Sequence, residues 1–232
     1  LEASHKNGMQ YKTVNDPNSI AEFDVKHQYS IPSDSKPYLL DVNSYSINAG
    51  YYYLVIPKID PLGFLIATIP GWNKYNLISG TTNIYNKGSY MGKTFLNTST
   101  DNDTLNIFLG KDNNIQAVKK EIENSNNTII GNYYTQKTSV NISIKNNSSE
   151  KLNLQVLDQV PIFSEREKVK FDIENIEGAI YNKEEGSLLW IFDLKPNENK
   201  IIDYKYEIKA PRSIVGKGKA RYNYSPVNAP AF

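Results

Sequence analysis

The segment GSYMGKT at residues 88–94 contains the Gly-Lys-Thr tripeptide that ends a phosphate-binding loop. Such a loop needs another glycine five residues before the glycine of the tripeptide, because its backbone amides must surround the phosphate groups. Position 87 is a lysine, and Gly88 stands one place too late. Both flanks indicate β-strand, whereas a phosphate loop leads into a helix. We therefore predict a β-hairpin with Gly88 in its tight turn and Gly92 at a bulge.

Residues that could act as nucleophile, general base or metal ligand are scarce. The chain has no cysteine and two histidines: His5 lies in a polar N-terminal stretch, and His27 lies on the apolar side of a predicted strand. The neighbours of His27 do not support a Ser-His-Asp triad. Asp101 and Asp103 have the spacing of a calcium loop, but Leu105 fills the next ligand position and no glycine follows. We expect no metal, no cofactor and no enzymatic activity.

Paired carboxylates are the remaining catalytic possibility. Two of them could hydrolyse a glycosidic bond if they lay about 5–10 Å apart in a cleft. Asp158, Glu165 and Glu167 are the acidic residues of interest near predicted strand ends, and the sequence leaves open whether any two of them meet. A hydrolase acting on envelope carbohydrate is therefore the alternative function.

Aromatic residues, 12% of the chain, offer a binding function instead. The consecutive tyrosines at 51–53 must point to both faces of their strand. Trp72 and Tyr75 follow an apolar stretch and have asparagine neighbours, and exposed aromatic rings beside amide groups suit the faces and hydroxyls of sugars. We take Trp72, Tyr75 and Tyr52 as candidate ligand-binding residues. The alternative for Trp72 is a loop that folds back onto the core, and Trp190 is predicted to be a core residue.

The elements that must position these residues are β-strands, because apolar and polar residues alternate through much of the chain. This alternation, which buries one face of a strand, is found in residues 23–31, 140–144, 152–156, 169–173 and 202–208. The best helical candidate, residues 118–124, has no clear apolar stripe. The turn signals at 146–149 and 183–186 each predict a hairpin loop.

We predict an all-β, sandwich-like fold made of two packed β units. Residues 1–19 are expected to be a linker, and residues 20–112 an N-terminal β unit. An immunoglobulin-like β-sandwich over residues 113–210 and a tail over 211–232 complete the chain. The boundary is placed at a predicted turn over Gly110–Asn114, and it is left open whether the two units share strands.

Charge and hydropathy restrict the partners. The 26 basic and 25 acidic residues leave a net charge of +1, too small to attract nucleic acid or anionic lipid at long range. The longest apolar run, residues 62–70, is far shorter than the roughly 20 residues of a membrane-spanning helix. The chain begins at Leu1 without a signal-peptide pattern, so we expect any targeting segment to lie upstream.

Four ordered blocks resemble the C-terminal conserved domain of the mucoidy-inhibitor-like bacterial proteins. The matching blocks are Ile31–Asp34, Ile56–Ala67, Leu77–Thr94 and Leu105–Asp112, and the resemblance covers roughly residues 20–210. It implies a domain of unknown function without assigned catalytic residues. It also implies a location in the bacterial cell envelope, periplasmic or surface-exposed, and an upstream domain in the same protein.

We therefore predict a non-catalytic bacterial cell-envelope domain that mediates protein or surface-polysaccharide interaction. A purely architectural spacer for a missing N-terminal region is a further alternative. The sequence does not identify the ligand, the oligomeric state or the role of the tail.

Overall fold

The computed structural model describes residues 29–38, 41–86, 88–100, 102–123, 128–163 and 167–212. The chain divides into two compact units, Leu1–Ser46 and Ile47–Phe232. The described residues of the first unit contain no strand, and within them the Tyr38 hydroxyl donates a 2.8 Å hydrogen bond to Asp34 Oδ2. The strand predicted over 23–31 is therefore wrong at 29–31, and the rest of it lies outside the described residues.

The second unit consists of β-strands, which confirms the all-β prediction. Its strands are β1 (Gly50–Val55), β2 (Leu62–Pro70), β3 (Gly80–Asn86), β4 (Ser89–Leu96), β5 (Thr104–Glu123), β6 (Thr128–Ile130), β7 (Tyr133–Asn146), β8 (Leu152–Gln159), β9 (Lys170–Glu174), β10 (Ala179–Asn182), β11 (Ser187–Leu194) and β12 (Asn199–Pro211). A 3-10 turn at Trp72–Tyr75 follows β2.

Ten of these strands form one mixed sheet in the order β10-β11-β8-β1-β2-β5-β7-β12-β9, with β6 paired to β7. β3 and β4 form a separate two-stranded hairpin. β1 and β8 pair in parallel, and this pairing joins the strands of the first half of the chain to those of the second half. The two predicted β units therefore contribute to one hydrogen-bonded sheet, and the strands of the described residues do not divide into the two separate sheets of a sandwich.

Side chains from distant strands of this sheet meet in one core. The ring centroids of Trp190 on β11 and Tyr204 on β12 are 5.9 Å apart, although five strands separate β11 from β12 in the sheet order. Trp190 is buried, as predicted. Apolar contacts across the sheet of this kind supply most of the stability of a β domain.

The alternating patterns of the second half are confirmed. Val140, Ile142 and Ile144 are buried on β7, and the even-numbered residues from Leu152 to Val156 are buried on β8. On β12 the same is true from Ile202 to Ile208. Period-two burial therefore places one face of each strand in the core.

The turn predicted between the two halves is wrong. β5 continues through the predicted turn at Gly110–Asn114, where Gly110 has φ 141° and the pairing with β2 is irregular nearby. The predicted boundary between residues 112 and 113 consequently falls inside this strand. Residues 118–123 are also part of β5, because pairing with β7 outweighs the helix-favouring Lys and Glu side chains.

The two predicted hairpin loops have different outcomes. Residues 183–186 connect the paired strands β10 and β11, which confirms a hairpin. Residues 146–149 instead connect β7 to β8, which do not pair with each other. At this crossover the buried Asn146 donates from Nδ2 to the carbonyl oxygens of Glu150, Leu194 and Lys195, at 2.8, 3.3 and 3.0 Å. This side chain ties the crossover to the turn after β11.

Candidate functional site

The GSYMGKT segment forms most of a β-hairpin, as predicted. β3 and β4 pair from Gly80↔Leu96 to Asn86↔Ser89, and the register shifts where Ile84 faces Gly92 and Tyr85 faces Tyr90. Gly88 has φ 81° and Gly92 has φ 142°, values that a residue with a side chain rarely adopts. The glycines therefore serve the turn and the bulge, and a strand follows the Gly-Lys-Thr tripeptide instead of a helix.

One face of this hairpin carries large exposed side chains. Directly opposed residues of an antiparallel pair share a face. The face consists of three such pairs, Tyr85 with Tyr90, Asn83 with Lys93, and Thr81 with Phe95, and we call it the hairpin face. Tyr85 is 63% exposed and Phe95 54%, while the Tyr85 and Tyr90 rings meet edge to face with centroids 5.5 Å apart.

The opposite face of the hairpin is attached to the second unit. Thr94 is buried there, and Leu96 packs against a core cluster of Ile69, Trp72 and Leu105. Ser79 precedes β3 and Thr98 follows β4, and their hydroxyl oxygens are hydrogen-bonded at 2.8 Å at the end of the hairpin opposite its turn. These contacts hold the hairpin in place while its aromatic face stays exposed to solvent.

The sequence-predicted ligand residue Trp72 lies in that core cluster. Its ring is buried, and its indole Nε1 donates a 2.9 Å hydrogen bond to the carbonyl oxygen of Asn102. The arrangement matches the alternative prediction of a loop folded onto the core. A ligand could reach this ring only if the loop opened, so Trp72 is not carried into the site proposed below.

Tyr75 and Tyr52 are both partly buried. Tyr75 packs against the Trp72 cluster, and Lys74 Nζ lies 5.0 Å from the centre of its ring. Tyr52 packs against Ile56, Phe64 and Ile66. Burial raises the pKa of the Tyr52 hydroxyl. Neither tyrosine lies on the hairpin face.

Asp158, one of the three acids considered for catalysis, belongs to a sealed polar cluster. Its side chain has no exposed area; Oδ1 accepts a 2.7 Å hydrogen bond from Lys119 Nζ, and Oδ2 accepts a 2.8 Å bond from the Tyr204 hydroxyl. Lys119 is 8% exposed and also pairs with Glu121 at 2.8 Å. Both carboxylate oxygens are thus occupied by protein donors, and substrate has no access to them in this structure.

The surroundings of this cluster favour the protonated forms of Lys119 and Tyr204. Burial by itself would lower the pKa of the Lys119 ammonium, but the Asp158 carboxylate and Glu121 outweigh it, and the pKa is raised. Burial raises the pKa of the Tyr204 hydroxyl, and Asp158 raises it further. Burial lowers the pKa of the neighbouring Lys58, and Lys119 adds to this effect. The cluster is therefore a charged lysine, a carboxylate and a neutral tyrosine that stabilise one another.

The other predicted site residues do not join it. Glu167 and Asp103 are exposed, while Glu165, Asp101, His5 and His27 lie outside the described residues. Within the described part of the chain, no group of three His, Cys, Asp or Glu side chains could hold a metal ion. Among these same residues, no helix has the length and apolar character needed to cross a membrane.

A cavity of about 470 Å³ lies beside β9 and β10, the two ends of the sheet order. Its lining is mainly apolar and includes Phe163, Phe171 and Tyr181. Asp172 is the one carboxylate among its described lining residues, and its Oδ2 pairs with Lys170 at 3.0 Å. Among the described lining residues there is therefore no pair of facing carboxylates of the kind that glycoside hydrolases use.

Sequence reasoning missed the aromatic residues of the hairpin face. The hairpin itself was predicted, and the alternation of Thr81, Asn83 and Tyr85 could have indicated which side chains share a face. It could not have shown which of the two faces would be covered. That depends on contacts with β5 and with the loop around Trp72.

Comparison with models of known protein families gives a match. The model of a family described as "Domain of unknown function (DUF4139)" matches residues 4–212. A search of curated proteins gave no match.

Proposed function

The chain belongs to the DUF4139 family of domains of unknown function, and on that premise we propose that it is a non-catalytic module that binds surface polysaccharide through the hairpin face. The single observation that carries the proposal is the exposure of Tyr85, Tyr90 and Phe95 on one face of a hairpin. Large exposed apolar side chains grouped on one face mark interaction sites more often than scattered ones do.

The spacing of these rings suits a chain of sugars. Tyr85 and Thr81 are four residues apart on β3, which is about 13 Å at about 3.3 Å per residue. Phe95 is paired with Thr81, so the tyrosine pair and the phenylalanine stand at opposite ends of the face. Asn83 lies between them, where its amide can donate to and accept from sugar hydroxyls. A polymer can contact both ends at once, whereas a single sugar ring cannot.

The wider setting is part of the same proposal. The resemblance to the mucoidy-inhibitor-like proteins supports a position in the bacterial cell envelope, with an upstream domain in the same protein. The packing of Trp190 on Tyr204 supports a sandwich-like description of the sheet, in which β8 and β11 lie over β12. The immunoglobulin-like character of the C-terminal half is proposed on the same ground.

Affinity electrophoresis and titration calorimetry with soluble bacterial and plant polysaccharides test this function. We expect binding that falls about tenfold or more in a Tyr85→Ala/Tyr90→Ala/Phe95→Ala variant, because truncating central aromatic contacts removes most of the energy of such interfaces. Tyr51→Ala is the matched control, since Tyr51 is exposed to a similar extent on β1, which pairs with β2 and β8 and not with the hairpin.

The result that would refute the proposal is equally specific. If the wild-type protein binds polysaccharides but the triple variant and the Tyr51→Ala control bind them equally well, the hairpin face is not the site. If no polysaccharide in the panel binds, the module does not recognise sugars. Circular dichroism melting of each variant shows whether lost binding reflects lost folding.

A further inference from the structure

The charge pattern around the hairpin points to one class of polysaccharide. No aspartate or glutamate occurs between Asp60 and Asp101, whereas this interval contains the lysines Lys74, Lys87 and Lys93. The rest of the chain contains all 25 acidic residues and 23 of the 26 basic ones, so the interval departs from the balanced charge of the whole. The segment that supplies the aromatic face is thus locally cationic in an otherwise nearly neutral protein.

Of these three lysines, Lys93 is the one that lies on the hairpin face. It stands opposite Asn83, between the tyrosine pair and Phe95, and it is exposed. Among the described residues it has no ion-pair partner. An exposed ammonium flanked by aromatic rings can pair with an anion that a sugar chain brings over the face.

We infer that the hairpin face binds acidic polysaccharide, a chain of sugars bearing carboxylates, and that Lys93 determines this specificity. The inference rests on the proposed function, since it names the class of polymer that the same face recognises. Aromatic rings at the two ends stack on sugar rings, Asn83 bonds their hydroxyls, and Lys93 pairs with a carboxylate between them. The rings set the affinity for a sugar chain, and the lysine sets the preference for a charged one.

The test compares each polymer with its neutral counterpart. Polygalacturonate and hyaluronate are titrated into the full chain beside carboxyl-reduced forms of the same polymers, at low and at physiological salt. We expect the acidic forms to bind about three- to fivefold more tightly, the effect of one exposed ion pair near the upper end of its usual range. The preference should shrink as salt screens the pair.

Two single substitutions sharpen this comparison. Lys93→Gln should remove the preference, so that the acidic and neutral forms of each polymer bind with equal affinity. Lys205→Gln is the charge-matched control, because Lys205 is exposed on β12, which pairs with β7 and β9 and not with the hairpin. It should keep the full preference.

Each outcome distinguishes the two claims. Equal binding of acidic and neutral polymers would overturn the inference but retain the proposed function. Failure of the acidic polymers to bind would overturn the inference, and failure of all sugars would overturn both. Tighter binding to phosphatidylglycerol vesicles or to single-stranded DNA than to either polymer would also overturn it, because the lysine and the rings would then serve another anion.

Discussion

Two regions of the molecule are rich in polar, charged or aromatic side chains, and they differ in whether other protein groups pair with those side chains. In the sealed cluster of Asp158, Lys119 and Tyr204, each charged or polar group is paired with another protein group, and the cluster lies in the core. On the hairpin face, Tyr85 and Phe95 keep more than half of their surface exposed, and Lys93 has no described ion-pair partner.

This difference separates side chains that stabilise the fold from side chains that are available to bind a ligand. A carboxylate inside a protein attracts attention as a catalyst, yet Asp158 is bound by donors on β5 and β12 and therefore connects strands. Exposed rings contribute little to folding, so their presence on one face needs another explanation. If the comparison is right, changes in the cluster should affect stability and changes on the hairpin face should affect binding.

The largest expected effect comes from removing one member of the buried ion pair. Asp158→Ala leaves the Lys119 ammonium without its main counter-ion, and we expect the free energy of unfolding in urea to fall by about 3–5 kcal/mol. The matched control is the exposed pair of Lys151 and Asp193, which has the same 2.7 Å distance. Asp193→Ala should cost less than about 1 kcal/mol.

A compensating double variant tests the reason for that loss. Lys119→Met combined with Asp158→Leu removes both charges, so stability should return to within about 1 kcal/mol of wild type. Equal losses in Asp158→Ala and in the double variant would mean that packing, rather than the unpaired charge, determines the cost.

The same cluster predicts loss of stability in alkali. The pKa of Lys119 is raised above its ordinary 10.5 and that of Tyr204 above its ordinary 10.0. Their contributions are therefore fully present below these ordinary values and are lost as pH rises through the folded-state values. Urea unfolding from neutral pH to beyond 10.5 should show this decline, and Tyr204→Phe should make it less steep. Identical slopes in both proteins would contradict the prediction.

A neutral buried side chain should have a smaller effect. Asn146→Ala leaves the carbonyl oxygens of Glu150 and Lys195 without a donor at the β7–β8 crossover, so we expect a loss of about 2–3 kcal/mol in the free energy of unfolding. Asn147→Ala is the control, because Asn147 is exposed and bonds Asn114 through its backbone. Similar melting of the two variants would show that the Asn146 side chain is not essential there.

The sequence predicted local features of the fold more successfully than it predicted which strands pair with each other. Period-two alternation identified the buried residues of β7, β8 and β12, and the glycine spacing identified the hairpin with its bulge. The segment at 146–149 shows the limit, since its turn residues indicate that the chain bends without showing which strand follows alongside. The continuous β5 shows the same limit, because its pairing with β7 depends on distant residues.

The candidate site residues show the same limit, because their contacts join residues that are far apart in the sequence. Asp158 lies 39 residues from Lys119 and 46 from Tyr204, so no local pattern could bring them together. Trp72 illustrates the same limit, because its asparagine neighbours are compatible with an exposed ring as well as a buried one, and a hydrogen bond to Asn102 holds it in the core. Exposure is a property of the assembled fold, and for these residues only the structure supplied it.

The smallest effect on stability is expected on the hairpin face itself. Tyr85 and Tyr90 form one cross-strand aromatic pair, and such pairs contribute about 0.5–1 kcal/mol. A double-mutant cycle with Tyr85→Ala and Tyr90→Ala should give a coupling of this size in urea unfolding, whereas Trp190→Ala in the core should cost about 3–5 kcal/mol. A coupling as large as the cost of Trp190→Ala would mean that the tyrosines help to hold the fold together. Their exposure would then no longer argue for a ligand, and the contrast between the two regions would fail.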